Sequence, residues 1–212
     1  MTVVHPNLAL CFGEAFPEAG CDEAGRGCLA GPVVAAAVIL PRNPDAALRA
    51  GLNDSKQLSV QARLQMRDLI TATSLSFGVG VVDHTTIDTM NILQASFLAI
   101  HLALEKLDPQ PEMIIVDGNR FNPYRNIPHE CVVRGDATYL SVAAASVLAK
   151  TARDEYMHEL HEIYPQYGWN RNKGYPTPVH RRAIDKYGLS PYHRRSFGRA
   201  QQIRMYFPAA EK

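Results

Sequence analysis

The 212 residues, 46% of them hydrophobic, are enough for one large domain with a full core. No apolar run approaches ~18 residues, which excludes a membrane-spanning helix, and the opening Met1-Thr-Val-Val-His-Pro6 lacks the basic and apolar regions of a signal peptide. The formal charge of +1 hides an uneven split: residues 1–168 hold 12 Lys/Arg against 19 Asp/Glu, and residues 169–212 hold 10 against 2. An acidic body suited to cations is followed by a basic end suited to polyanions.

In chain order, strands are predicted over 19–22 and 33–40; the second is a run of Val, Ala and Ile stopped by Pro41. Helical spacing covers 59–71, with Ser59 as N-cap. Residues 74–82 alternate as a half-buried strand, with Leu75, Phe77, Val79 and Val81 on one face and Ser76, Gly78 and Gly80 on the other. One long helix is predicted over 85–107, with Ile87, Leu93, Phe97, Ile100 and Leu104 near one stripe. Short strands over 113–116 and 130–133 run into Asp117-Gly118 and Gly135-Asp136, and a second long helix covers 139–164. Turns and a basic helical tail follow. Strands that come first and then alternate with helices imply an α/β fold, a mixed sheet covered by helices. It is read as one domain over 1–212, with residues 165–212 a basic helical extension. The cysteines Cys11, Cys21, Cys28 and Cys131 form no Cys-x-x-Cys pair and read as reduced thiols of a cytoplasmic protein.

Four acids, Asp22, Glu23, Asp117 and Asp136, stand at strand ends, where open α/β sheets gather functional groups. Any one of them also suits a turn before Gly. Together they would repel, by about 4 kcal/mol for a pair ~4 Å apart at an effective dielectric near 20. Protonation or a cation must relieve this, and Mg²⁺ or Mn²⁺ suits oxygen ligands. Neighbours in a strand face opposite ways, so Asp22 and Glu23 are expected to share a site only if the pleat breaks, which Gly25 and Gly27 would allow. Between those glycines, Arg26 can fork onto phosphate. Lys56, in Asn53-Asp54-Ser55-Lys56, and Ser146, four residues before Lys150, are further candidates. Tyr175, held between Gly174 and Pro176, can stack on a base or sugar. His193-Arg-Arg-Ser-Phe197 offers more phosphate contacts. Motifs of P-loop ATPases, Gly-x-Ser-x-Gly hydrolases and His-Glu-x-x-His proteases are absent from the sequence.

Cys21-Asp-Glu-Ala-Gly-Arg-Gly27 with Leu29-Ala-Gly-Pro-Val-Val-Ala-Ala-Ala-Val38 closely resembles the signature of ribonuclease HII. So, in order, do Asn53–Lys56, Asn91-Ile-Leu-Gln-Ala95, Val116-Asp-Gly118, Gly135-Asp136, Ala144-Ala-Ser-Val-Leu-Ala-Lys150, Lys173-Gly-Tyr-Pro-Thr177 with His180, and His193–Phe197. One departure is Cys28, where the family usually has Pro; a free thiol there would make activity oxidant-sensitive.

The resemblance implies a ribonuclease H-like fold, a mixed five-stranded sheet flanked by helices with a C-terminal helical extension. It implies endonucleolytic cleavage of RNA in RNA–DNA hybrids and at single ribonucleotides embedded in DNA, leaving 5′-phosphate and 3′-hydroxyl ends. By carry-over, Asp22, Glu23, Asp117 and Asp136 hold two divalent ions, Mn²⁺ or Mg²⁺. Gly25, Arg26 and Gly27 read the 2′-hydroxyl, Tyr175 sits at the RNA–DNA junction, and Lys56 and Ser146 contact the backbone. Met205-Tyr206-Phe207 reads first as a terminal anchor and only second as a sliding-clamp peptide, and the chain is expected to be a monomer. The type III relative is disfavoured, because that family carries an extra N-terminal domain. The competing readings are a DNA-junction resolvase on the same fold and a non-catalytic nucleic-acid-binding module, which the acid quartet disfavours because acids repel phosphate.

Overall fold

The computed structural model describes residues 8–53 and 58–197. Lys56 and residues 205–207 lie outside them. Strands β1 (Glu18–Ala24), β2 (Val33–Ile39), β3 (Ser76–Val82), β4 (Met113–Asp117) and β5 (His129–Val132) form one mixed sheet in the order β3-β2-β1-β4-β5. The β1–β2 and β2–β3 pairs are antiparallel, while β4 runs parallel to both β1 and β5. Seven helices are described: α1 (Ala46–Asn53), α2 (Val60–Thr73), α3 (His84–Met90), α4 (Ile92–Leu104), α5 (Leu140–Ile163), α6 (Trp169–Asn172) and α7 (Pro178–Tyr187).

The sheet separates two cores. On β2, Val33, Ala35, Ala37 and Ile39 pack with Ala99, Ala103 and Leu104 of α4, while Ala36 and Val38 pack with Ala144 and Leu148 of α5. All seven β2 residues are buried, which is why the strand reads as a continuous apolar run rather than an alternation. On β1, Ala19 and Cys21 join the α4 side. Gly20 faces α5 so closely that a Cβ would lie 2.2 Å from the Ser141 carbonyl carbon.

Three sequence expectations change. The alternation of β3 is real, but its tightly packed face is the glycine face. Gly78 and Gly80 are buried against the Ala103 and Ala99 carbonyls of α4, whereas Phe77 and Val81 are exposed at the sheet edge. The apolar face was the natural guess; close helix approach reverses it. The single helix over 85–107 is two, because Asn91 takes φ +72° and its Oδ1 accepts from the N–H groups of Leu93 and Gln94, starting α4 afresh. Helix α1 was not foreseen; Asp45 Oδ1 accepts from Ala47 N at its start. Ser59 caps α2 as expected. Of the basic tail, the described part forms two short helices, α6 and α7, whose Trp169, Ala183 and Ile184 pack with Met157 and Leu160 of α5. Among the described residues, no helix is long and apolar enough to cross a membrane.

Gly80→Ala should destabilise the fold by about 1–3 kcal/mol, the usual cost of overpacking, since its Cβ would lie 2.0 Å from the Ala99 oxygen. Urea unfolding checks this; an unchanged midpoint would show that α4 can simply move away.

Candidate active site

The site lies where β1 and β4 end side by side. Asp22 is the last buried position of β1, and Asp117 closes β4. The β1–β2 register runs unbroken from Ala19↔Ile39 to Ala24↔Val34. No break of the pleat occurs, so Asp22 and Glu23 leave opposite faces. Both nevertheless feel the charge of Asp117 at the end of the neighbouring strand.

Asp22 is the most buried of these acids. Burial pushes its carboxyl up to about 8; a Ser146 hydroxyl from α5 opposes this by donating to it, and the charges of Glu23 and Asp117 add to the rise. Its Oδ1 also accepts from Glu23 N at 2.7 Å. Glu23 is likewise raised, by burial first, and is held back by Arg26, whose Nη1 lies 3.0 Å from Glu23 Oε1. Asp117 Oδ1 accepts from Gly135 N at 2.6 Å, which ties β4 to the 3₁₀ turn Gly135–Ala137 that carries Asp136. Among the described residues, no three His, Cys, Asp or Glu side chains form a ready-made metal cage. The donor set still suits a hard cation: it is all oxygen, and the most buried member is strained towards protonation.

Beyond β1, Gly25 takes φ +97°, and a Cβ there would lie 2.0 Å from Arg153 Nε of α5. Arg26 and Gly27 are exposed, and a Cβ on Gly27 would meet nothing. Packing therefore demands glycine at 25 and leaves 27 open to an approaching ligand. Two buried guanidiniums hold this loop from beneath. Arg153 donates to the carbonyls of Pro32 (3.0 Å), Ala30 (3.2 Å) and Lys173 (2.8 Å). Arg194 donates to those of Gly31 (3.0 Å), Arg26 (2.9 Å) and Pro32 (3.0 Å).

Sequence reading placed Arg153 on the second long helix beside Ser146 and Lys150 without a role of its own, and offered Arg194 to phosphate. Arg194 is instead buried and committed to main-chain carbonyls; burial lowers it to about 10, still charged at neutral pH. A signal for Arg153 existed: Ala149, Arg153 and Met157 fall at i, i+4 and i+8 on the buried face of α5. Cys28 is fully buried and its thiol is pushed up by that burial, so the expected oxidant sensitivity has no exposed thiolate to act through.

Tyr175 is half-exposed on the neighbouring 173–177 turn. A buried cluster of rings and hydrogen bonds supports this turn. Trp169 Nε1–H donates to His180 Nε2 (3.0 Å), leaving His180 Nδ1–H to donate to Tyr175 O (2.9 Å). His193 Nε2 stands 3.1 Å from that same His180 nitrogen, whose one lone pair Trp169 already takes, and His193 Nδ1 accepts from Ser190 N (2.9 Å), with Ser190 Oγ 2.8 Å away. Both rings are neutral, and burial depresses His193 to about 3.

A family model described as Ribonuclease HII matches residues 19–200. The chain belongs to the ribonuclease HII family. It is 58% identical over 180 residues to a ribonuclease HII of Bacteroides thetaiotaomicron, covering 85% of this chain and 88% of that one. A Porphyromonas gingivalis ribonuclease HII is 56% identical over 190 residues, covering 90% and 93%. The fold is shared with ribonuclease H2 of Pyrococcus horikoshii (TM-score 0.76, 28% identity, 91% of this chain and 99% of that one). It is also shared with the RNase HII solved in complex with PCNA from Archaeoglobus fulgidus (TM-score 0.71, 26% identity, 86% and 96%). The expected ribonuclease H-like mixed sheet is therefore present, and as a member of that family the chain is a metal-dependent endoribonuclease.

The raised Asp22 carboxyl binds a proton on folding between its ordinary value of 3.8 and about 8. Stability should thus fall as pH rises through that window. Without metal, Asp22→Asn should melt a few degrees above the native protein at pH 8.5, since about 1 kcal/mol moves a domain of this size by ~2–4 °C, and the gap should close near pH 4. Mg²⁺ or Mn²⁺ should raise the native melting point and leave the variant's unchanged. A metal-free variant melting below the native protein at pH 8.5 would contradict the strained carboxyl.

Proposed function

We propose that this chain hydrolyses the RNA strand of RNA–DNA hybrids and also incises at single ribonucleotides embedded in duplex DNA, leaving 5′-phosphate and 3′-hydroxyl ends. The observation that carries the reading is the adjacency of the acids at the β1–β4 end to the Gly25-Arg26-Gly27 loop, which a buried arginine supports on the side away from solvent.

Asp22, Glu23, Asp117 and Asp136 would hold two divalent ions, Mg²⁺ or Mn²⁺. Bound there, the ions would lower the pKa of the attacking water and neutralise charge on the departing 3′-oxygen. The chain's own residues do the rest. Ser146 keeps Asp22 turned and ionisable by donating to it. Arg26 is placed to trade Glu23 for a phosphate, because its guanidinium is about half exposed. Open main-chain groups at Gly27 suit a 2′-hydroxyl, the group that separates RNA from DNA. The exposed face of Tyr175 suits the sugar at the junction. Lys56 is assigned a backbone phosphate on the motif alone. The chain works as a monomer, and its four free thiols favour a cytoplasmic setting. The Archaeoglobus RNase HII solved with PCNA supports a sliding clamp as a second partner, met by residues 205–207.

The deciding assay is a DNA duplex with one ribonucleotide, run beside all-DNA and RNA–DNA hybrid duplexes with metal titration and product mapping. Cleavage at the ribonucleotide is expected, and cutting of all-DNA junctions would favour a resolvase. Asp22→Asn should abolish turnover while hybrid binding persists; full turnover by the folded variant would sink the carboxylate assignment. Tyr175→Ala should cost at least ~10-fold at a lone ribonucleotide, in line with 1–3 kcal/mol for lost stacking, with little change in melting temperature. An unchanged rate would remove Tyr175 from the junction.

A further inference from the structure

We propose that Asp88, on α3, is a positioning residue for the Gly25-Arg26-Gly27 loop: its carboxylate holds the 192–197 segment, and through it the buried Arg194, against the inner side of that loop. The inference rests on the substrate role given to the loop above. Three donors converge on this one side chain. Arg195 N donates to Oδ2 at 2.7 Å, and Ser196 donates to Oδ1 through both its N–H (2.9 Å) and its hydroxyl (2.5 Å). His84, four residues earlier on the same face of α3, has its ring centre 5.4 Å from that of Tyr192. One face of a short helix thus grips the segment at two points, while Ile87 fixes the helix in the core.

The gripped segment is a strap across the loop. Gly31 N donates to Tyr192 O (3.0 Å), Ala30 bridges to His193, and Arg194 N donates to Leu29 O (2.8 Å). Arg194 then sends its guanidinium to the carbonyls of Gly31, Arg26 and Pro32. The two residues that Asp88 holds follow Arg194 directly in the chain. A backbone rotation that withdrew the guanidinium from the loop would first have to break the Asp88 contacts.

The placement of the charge supports this role. Asp88 stands in the last turn of α3 (His84–Met90), where the helix carbonyls disfavour an anion. Two successive N–H groups and a hydroxyl compensate it, and together they need the several lone pairs of a carboxylate. Hydrogen bonds to an ionised acceptor are the strong kind. None of these contacts involves the acids at the end of β1 and β4, so loss of the Asp88 carboxylate should slacken the loop and leave the cation-holding groups in place.

The test joins amide hydrogen exchange to kinetics on the duplex with one ribonucleotide, using Asp88→Ala and Asp88→Asn. In Asp88→Ala the amides of Gly31 and Arg194 should exchange at least ~10-fold faster, the lower end for a hydrogen bond to a charged acceptor, while those of β2 keep their rates. A loop in place only part of the time weakens binding by that fraction, so KM should rise about 10-fold with kcat within ~2-fold. Mg²⁺ should still raise the melting temperature as it does for the native protein. Asp88→Asn keeps one acceptor oxygen and should recover KM to within ~3-fold of native. Equal acceleration of exchange across β2, or a fall in kcat at unchanged KM, would reduce Asp88 to general support of the fold and overturn the proposal, as would native exchange at Gly31. If Asp88→Ala does not fold, Asp88→Ser, whose hydroxyl is one bond shorter than the carboxylate, takes its place under the same outcomes. If the native chain leaves the ribonucleotide uncut, the functional reading falls, and exchange at Gly31 still decides whether Asp88 holds the loop.

Discussion

Helix α5 can lie directly on β1 because position 20 has no side chain. The Ser141 carbonyl carbon occupies the space a Cβ would need. From that contact the helix runs in the same direction as the strand, and each of its turns meets a different part of the site. Ser141 faces Glu18, Ser146 faces Asp22, Arg153 sits under Gly25, and Met157 packs at Gly31 and Gly174. With a rise of ~1.5 Å per residue, one rigid rod thus sets the acids, the exposed loop and the tyrosine turn on a common scale. Glycines 20, 25, 31 and 174 are the places where backbone must touch this rod or its side chains.

Charge is arranged in two layers. Carboxylates crowd the end of β1 and β4, and two arginines lie behind the loop next to them. Neither Arg153 nor Arg194 forms an ion pair among the described residues; each spends its donors on three main-chain carbonyls. An uncompensated buried charge costs several kcal/mol, so those carbonyls are held as firmly by the arginines as the arginines are by them. The loop is stiffened without a carboxylate that would cancel the positive charge. A polyanion approaching Arg26 therefore meets two further cations a short way below the surface, where salt screens them less than exposed ones.

Sequence pattern revealed what depends on local chemistry. β2 was readable because a strand covered on both sides must be apolar throughout. Asp22 and Asp117 were readable because acids at strand ends are costly without a purpose. Ser59 as a cap needed only its neighbours. What escaped depends on tertiary approach. The packed face of β3 could not be read, since two glycines against helix carbonyls leave no hydrophobic signal. A break of the pleat at Asp22 and Glu23 was expected because alternation sets neighbours on opposite faces; the strand keeps that alternation, and it is Asp117 on the next strand, invisible to local pattern, that lies in electrostatic reach of both. Arg194 looked like a surface phosphate fork because a basic run in sequence gives no hint that one member turns inward. Asn91 looked compatible with one long helix, although its positive φ and side-chain cap divide it in two.

The anchor of Arg26 is far away along the chain. Arg194 Nη1 and the Arg26 carbonyl are separated by 168 residues, and loops that large are closed late because their entropy must be overcome first. On a ribosome, all five strands have emerged before Arg194 is made. The acid cluster can assemble with the sheet, but the loop beside it must wait for the last described stretch of chain. The acid cluster and the loop beside it are thus completed at different moments in the life of a newly made molecule.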